Sequence, residues 1–162
     1  MNKAIFLDRD GVLINNQHHY YIWESTQIEF IDGVFDNLKR LQQKGFQLYI
    51  VSNQGGISRG LYTKENILTI HEELIETFRK NQIIISDILF CPHHSKKEKC
   101  LCRKPKSLMI EKLIAKYNLN LQESTMIGDS ESDMKAAVMA GVHGIKITPN
   151  QNMFPFISTI LR

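Results

Sequence analysis

The sequence predicts an α/β fold in which a parallel sheet carries helices on both faces. Two observations lead there. Five short apolar runs alternate along the chain with stretches whose apolar residues recur at helical spacing. The first run is apolar at every position, as strands covered on both faces are, and the regular strand–helix order suits parallel strands joined by crossovers.

The elements follow in order. A strand is expected at Ala4–Asp8, where four apolar residues in a row precede Asp8. Val34, Leu38 and Leu41 then sit four and three apart before a stop at Gly45, which predicts a helix. A second strand follows at Phe46–Ser52, and a helix over Asn66–Phe78 with Ile67, Ile70, Leu74 and Phe78 on one face. His71 in that helix, with acids after it, is expected on the exposed side. Strands at Ile88–Cys91, Thr125–Gly128 and Gly144–Ile147 bracket helices at Leu108–Tyr117 and Ser132–Ala140, the latter stopped by Gly141. Met109, Met126, Met134 and Met139 are expected at or near the core. The closing "TPNQNMFPFISTILR" has no clear period and predicts no element.

With 162 residues the chain is expected to form a single domain, 1–162. A hydrophobic fraction of 43% and a charged fraction of 23% suit a soluble globular protein. No apolar run approaches the roughly 18 residues of a membrane span. The N-terminal run is too short for a signal peptide, so the cytoplasm and no membrane partner are expected. A net charge of +3 without a basic block argues against nucleic acid and suits an anionic small substrate. A monomer is expected.

In such sheets ligands bind beyond the carboxyl ends of the strands, where strand order reverses. Four successive strand ends here carry chemically capable groups: Asp8 and Asp10 in "DRDG", Ser52, Asn53 and Gln54 in "SNQGG", the cysteines after the third strand, and Asp129 in "GDSESD". Two carboxylates can divide nucleophile and acid/base roles when their environments differ. Small residues after a strand can free backbone N–H groups to cradle a phosphate. A carboxylate such as Asp129 can help to hold Mg2+, or can simply cap a helix. In "CRKPKS", Lys104 offers a point charge and Arg103 a fork to phosphate, while Pro105 suits the first turn of a helix.

All three cysteines lie between residues 91 and 102. Cys91, His93, Cys100 and Cys102 read C-x-H, six residues, then C-x-C, which suits a closed, four-ligand and therefore structural Zn2+ site. His94 could replace His93, though the alternate residue matches the C-x-C partner better. Zinc there would staple the loop that delivers Arg103 and Lys104. The intervening "SKKEK" reads as a solvated tip.

Taken together, Asp8-Arg9-Asp10-Gly11, Ser52-Asn53-Gln54, Lys104, and Gly128-Asp129 with Asp133 resemble, in order, the four motifs of the haloacid dehalogenase-like phosphatases. With the zinc loop, "SNQGGISRG" and "CRKP", the chain resembles the D-glycero-D-manno-heptose 1,7-bisphosphate 7-phosphatases, kin of the histidinol-phosphatases. The resemblance implies a Rossmann-like domain without a cap. Only 41 residues separate Asp10 from Ser52, and that gap must already hold a helix and a strand.

The resemblance also implies roles. Asp8 would attack phosphorus and carry an aspartyl-phosphate, and Asp10 would serve as acid and then base. Mg2+ would be held by Asp8, the Asp10 carbonyl and Asp129. Ser52 and Lys104 would neutralise phosphoryl oxygens, and Asn53, Gln54, Arg103 and Tyr20 would contact a small phosphorylated sugar. Val12 stands where the family usually has Thr, and Ser130 where the heptose enzymes often carry Lys. A histidinol-phosphate phosphatase, and an inactive zinc-stapled binding module, are the competing readings.

Overall fold

The structure, a computed structural model, describes residues 2–161. Five strands, β1 (Ala4–Leu7), β2 (Gln47–Asn53), β3 (Ile85–Cys91), β4 (Thr125–Gly128) and β5 (His143–Lys146), form one sheet of order β3-β2-β1-β4-β5. Every pairing is parallel. The helices are α1 (Val34–Gln43), α2 (Lys64–Lys80), α3 (Leu108–Tyr117), α4 (Glu131–Ala140) and the single turn α5 (Phe154–Ile157). From β1 the chain builds outward to β2 and β3, then returns to lay β4 on the other side. The carboxyl ends of β1 and β4 therefore flank the point where strand order reverses.

The unbroken apolar run of β1 has a direct cause. Ile5 and Leu7 face one core, with Val34, Leu38 and Leu41 of α1 and Ile70, Leu74 and Phe78 of α2. Ala4 and Phe6 face a second core, with Met109, Ile110 and Leu113 of α3 and Ala136, Ala137 and Ala140 of α4. Because side chains alternate between faces, a strand covered on both sides needs apolar residues at every position. Leu38, Leu74 and Phe78 are fully buried, and truncating any of them to Ala should cost about 2–5 kcal/mol. Among the described residues no second domain stands apart from this sheet, and no helix is long and apolar enough to cross a membrane.

Local signals set the boundaries. Thr63 caps α2 by accepting a hydrogen bond from the Asn66 N–H at 3.1 Å, so the helix starts two residues before the expected Asn66. α4 begins at Glu131, not Ser132, because Ser130 and Asp133 form a capping box. β3 starts at Ile85, three residues before the expected Ile88, and β2 runs on to Asn53. A register shift leaves Ser86 unpaired, so polar Ser86 and Asp87 masked the start of β3.

Three further expectations are corrected. His71 is 5% exposed, not exposed: it follows Ile67 by four residues and precedes Leu74 by three, which places it on the buried stripe of α2. Met139 is on the outer side of α4 and 61% exposed, whereas Met109 and Met126 are buried. Pro105 does not open α3 but lies in the turn before it, where the Lys106 N–H donates to the Arg103 carbonyl at 2.9 Å.

The closing residues, which lacked a readable period, pack Met153 and Ile157 into the first core. Their approach also braces the loop after β1. The Asn150 N–H donates to the Gly11 carbonyl at 2.9 Å, and its side-chain oxygen accepts the Asn16 N–H at 2.9 Å.

Candidate active site

At the switch point, the loops after β1, β2 and β4 and the approach to α3 line a cavity of about 280 Å3. Asp8, Asp10, Asn53, Arg103, Lys104, Asp129 and Tyr20, seven of the residues singled out from sequence, border it. At its floor lies Lys104, 3% exposed. Its ammonium donates to Asp8 Oδ1 at 2.8 Å and to the Val51 carbonyl at 2.7 Å, and lies 2.7 Å from Asp133 Oδ1. Burial by itself would lower the Lys104 pKa, but the Asp8 and Asp133 carboxylates more than reverse this and hold the ammonium charged.

A third carboxylate, Asp129, joins the two that pair with this cation. Oxygens of Asp8, Asp129 and Asp133 all lie within 4.8 Å of one another. Burial pushes Asp8 up to about 7 against the pull of Lys104, with Asp133 adding repulsion. Burial, then Asp133, raises Asp129 as well. Asp133 is fully buried, and its Oδ2 closes the α4 capping box with Ser130. Its Oδ1 makes no well-directed hydrogen bond, so the contact with Lys104 is an ion pair without hydrogen-bond alignment. An incompletely satisfied buried carboxylate oxygen beside two others is a donor set suited to a hard divalent cation.

The sequence reading gave Asp133 no ligand role. Its signal was available in the four-residue spacing from Asp129 across a helix start. Glycines make this crowding possible. A Cβ on Gly11, which has φ +83°, would sit 2.2 Å from Asp129 Oδ2, and one on Gly128 would sit 2.3 Å from the Asp133 Cβ.

Asp10 stands beside this group in a different setting. Arg9, fully buried, holds it with a fork: Nε donates to Oδ1 and Nη2 to Oδ2, each at 2.9 Å. Gln54 Nε2 adds a hydrogen bond to Asp10 Oδ2 at 3.0 Å and another to Ser52 Oγ at 2.7 Å. Its own oxygen accepts from Tyr62 Oη at 2.9 Å. Gln54 and Ser52 are each 1% exposed and lie behind the cavity wall, so Gln54 faces Asp10 where the sequence had it facing substrate. Asn53 is likewise engaged, pairing both ways with the Lys104 backbone at 3.0 Å. Arg9 went unnoticed in the sequence because a charged residue between two acids reads as solvated.

The second candidate metal group lies one loop away. Cys91, His93, Cys100 and Cys102 present ligand atoms within 4.8 Å of one another. The Cys91–Cys102 and Cys91–Cys100 sulfurs are 3.1 and 3.7 Å apart, and His93 Nδ1 is 3.2 Å from Cys102 Sγ. A tetrahedral centre with metal–sulfur bonds of about 2.3 Å has ligand edges of about 3.8 Å, so the four atoms are nearly in place. His94 turns away: its N–H donates to Ser58 Oγ at 2.8 Å and its Nδ1 accepts from the Lys96 N–H at 3.2 Å. Arg103 closes the loop onto the cavity, with Nη1 donating to the His93 carbonyl at 2.9 Å.

On the far rim, Tyr20 is 80% exposed and meets Tyr21 edge-on at 4.7 Å between ring centres. Arg59 Nη1 donates to Tyr21 Oη at 3.1 Å.

A parallel sheet with clustered acids and a buried lysine at its switch point has the make-up of a phosphate-handling Rossmann-like enzyme. The family model of haloacid dehalogenase-like hydrolases matches residues 5–147, and the chain belongs to that family. It is 41% identical to D-glycero-beta-D-manno-heptose-1,7-bisphosphate 7-phosphatase of Haemophilus influenzae, over 88% of this chain and 79% of that one. The protein of the same name from Vibrio cholerae is 39% identical, over 89% and 79%. Among solved structures, the D,D-heptose 1,7-bisphosphate phosphatase of B. bronchiseptica, complexed with magnesium and phosphate, superposes with a TM-score of 0.84. The identity there is 26%, covering 97% of this chain and 86% of that one.

Proposed function

We propose that this chain is a Mg2+-dependent phosphatase that hydrolyses the 7-phosphate of D-glycero-D-manno-heptose 1,7-bisphosphate through an aspartyl-phosphate on Asp8. One observation carries the reading: Asp8, Asp129 and Asp133 cluster in a polar cavity at the switch point, with Asp8 and Asp133 paired to the Lys104 ammonium. The relatives' shared name supplies the substrate.

Asp8, Asp129 and Asp133, with the Asp10 carbonyl, would hold Mg2+, and the incompletely satisfied Asp133 Oδ1 fits that task. When bound, Mg2+ offsets the negative charge of the phosphoryl oxygens and of the three carboxylates. An Asp8 carboxylate oxygen attacks phosphorus in line as the bond to the sugar oxygen breaks. Asp10 passes a proton to that leaving oxygen, then takes one from the water whose attack frees phosphate from Asp8. Lys104 balances charge on the phosphoryl group, while Ser52, expected to share that task, sits behind the cavity wall and supports Gln54. Arg103, at the cavity wall, offers a fork to the phosphate that is not cleaved. Tyr20 offers an exposed ring to the sugar.

The Cys91, His93, Cys100, Cys102 group would hold structural zinc and fix the loop carrying Arg103 and Lys104. The same reading places the enzyme in the cytoplasm, where reducing conditions keep such thiols available, as a monomer whose site one chain completes.

The test is a Mg2+-dependent screen of heptose 1,7-bisphosphate, histidinol phosphate and an aryl phosphate. Heptose bisphosphate should give the highest kcat/KM. A higher value for histidinol phosphate overturns the substrate, and no turnover by folded, zinc-loaded protein overturns the enzyme. Arg103→Ala should raise KM for the bisphosphate about tenfold, as the loss of a charged contact does. It should change KM for the aryl phosphate much less.

A further inference from the structure

We infer that Arg9 and Gln54 act as a positioning clamp on the Asp10 carboxylate, presenting one of its oxygens, Oδ1, to the leaving group and then to water. This rests on the phosphatase reading above and deepens it: it names how the proton-transferring group is held.

The clamp is built from buried parts. A carboxylate offers about four acceptor positions, two on each oxygen. Arg9 fills one on Oδ1 and one on Oδ2, and Gln54 fills the second on Oδ2. The position left over belongs to Oδ1, on a residue that lines the cavity. A proton exchanged with substrate is therefore carried there.

The clamp is itself held from three sides. Arg9 Nη2 also donates to the Ile22 carbonyl at 2.7 Å, so the guanidinium ties the loop bearing Tyr20 and Tyr21 to Asp10. Arg9 Nη1 lies 3.4 Å from His71 Nε2. Since arginine only donates, Nε2 accepts and the ring proton sits on Nδ1. Tyr62 fixes the other end of the Gln54 amide. Each donor is thus held before substrate arrives, which is the condition for precise proton transfer.

A clamp and a substrate contact predict different kinetics. Gln54→Met keeps the length of the side chain and removes its donor. On heptose 1,7-bisphosphate it should lower kcat about tenfold and leave KM within about twofold, since misplaced acid/base groups cost rate more than binding. On p-nitrophenyl phosphate the leaving group needs no acid, but hydrolysis of the aspartyl-phosphate still needs the base. Rapid-mixing experiments should then show a burst of about one nitrophenolate per enzyme before a slow steady state. Arg9→Lys, which keeps the charge and loses the fork, should show the same burst with a larger fall in kcat.

A rise in KM at constant kcat for Gln54→Met would make Gln54 a substrate contact and overturn the clamp. So would a burst amplitude that shrinks in proportion to kcat, which marks lost folded enzyme. Gln54→Met decides the matter by itself if Arg9→Lys does not fold. Absence of turnover by the wild-type enzyme would instead refute the phosphatase reading.

Discussion

The acid cluster and the thiol cluster are both groups of ligand atoms within 4.8 Å of one another, yet they are built on opposite principles. The acids of Asp8, Asp129 and Asp133 crowd one another and border an open cavity, two of them paired with one buried lysine. Burial holds Asp8 up to about 7, and three clustered carboxylates have one ammonium among them, so the cluster has more acceptors of positive charge than Lys104 satisfies. The thiols and His93 offer four potential ligand atoms, the full tetrahedral number, which would leave no position for substrate on a bound metal. A site that binds and releases a charged substrate gains from residual imbalance. A site that holds a loop gains from closure. Lys104 joins the two, being delivered by the thiol-bearing loop and neutralised by the acids.

The largest expected effect breaks the acid side. Asp8→Asn should lower kcat by about 10³-fold or more, because it removes the nucleophile, while circular dichroism shows an unchanged fold. Near-normal turnover would sink the covalent route.

Separating the two sides by their hold on metal comes next. Brief treatment with EDTA should stop turnover by withdrawing Mg2+, and added Mg2+ should restore it with Tm almost unchanged. Cys100→Ser should instead lose about one zinc per chain by elemental analysis and lower Tm, since structural zinc contributes folding energy. Its activity should fall through displacement of Lys104. Full activity in verified zinc-free protein would show that the acid site does not depend on the staple.

The smallest effect sharpens the comparison from behind the acid site. Burial, then the charge of Arg9, lowers the His71 pKa to about 3. The unfolded chain therefore takes up a proton near pH 6.5 that the folded chain refuses, and stability falls as pH drops from about 6.5 toward 3. The slope is at most about 1.4 kcal/mol per pH unit from this group. His71→Gln, which can still accept from Arg9, should flatten the fall in Tm between pH 6.5 and 4.5. An unchanged slope would assign the acid sensitivity elsewhere.

The sequence by itself determined the sheet, the single layer of helices on each side, and the strand ends where chemistry collects. It did so because a strand buried on both faces must be apolar at every position, so the change to Asp8 or Asp129 is visible as a break. It also determined the thiol group, because its four candidate ligands fall within twelve residues and no long-range contact is needed to see them. Only the tertiary structure decided which groups face substrate and which face each other. Gln54 meets Asp10 because the ends of β1 and β2 are neighbours in the sheet, a pairing between residues 44 apart. Arg9, next to Asp10 in sequence, turns back onto it only because its guanidinium is buried among groups brought from elsewhere. His71 reached the same spot from α2 across 62 positions of sequence. The braces from Asn150 to Gly11 and Asn16 likewise depend on where the last turn packs, and its few apolar residues share a core with β1, α1 and α2 that no local period reveals. Local patterning records burial and backbone shape; which buried polar group meets which is fixed only when distant segments are packed side by side.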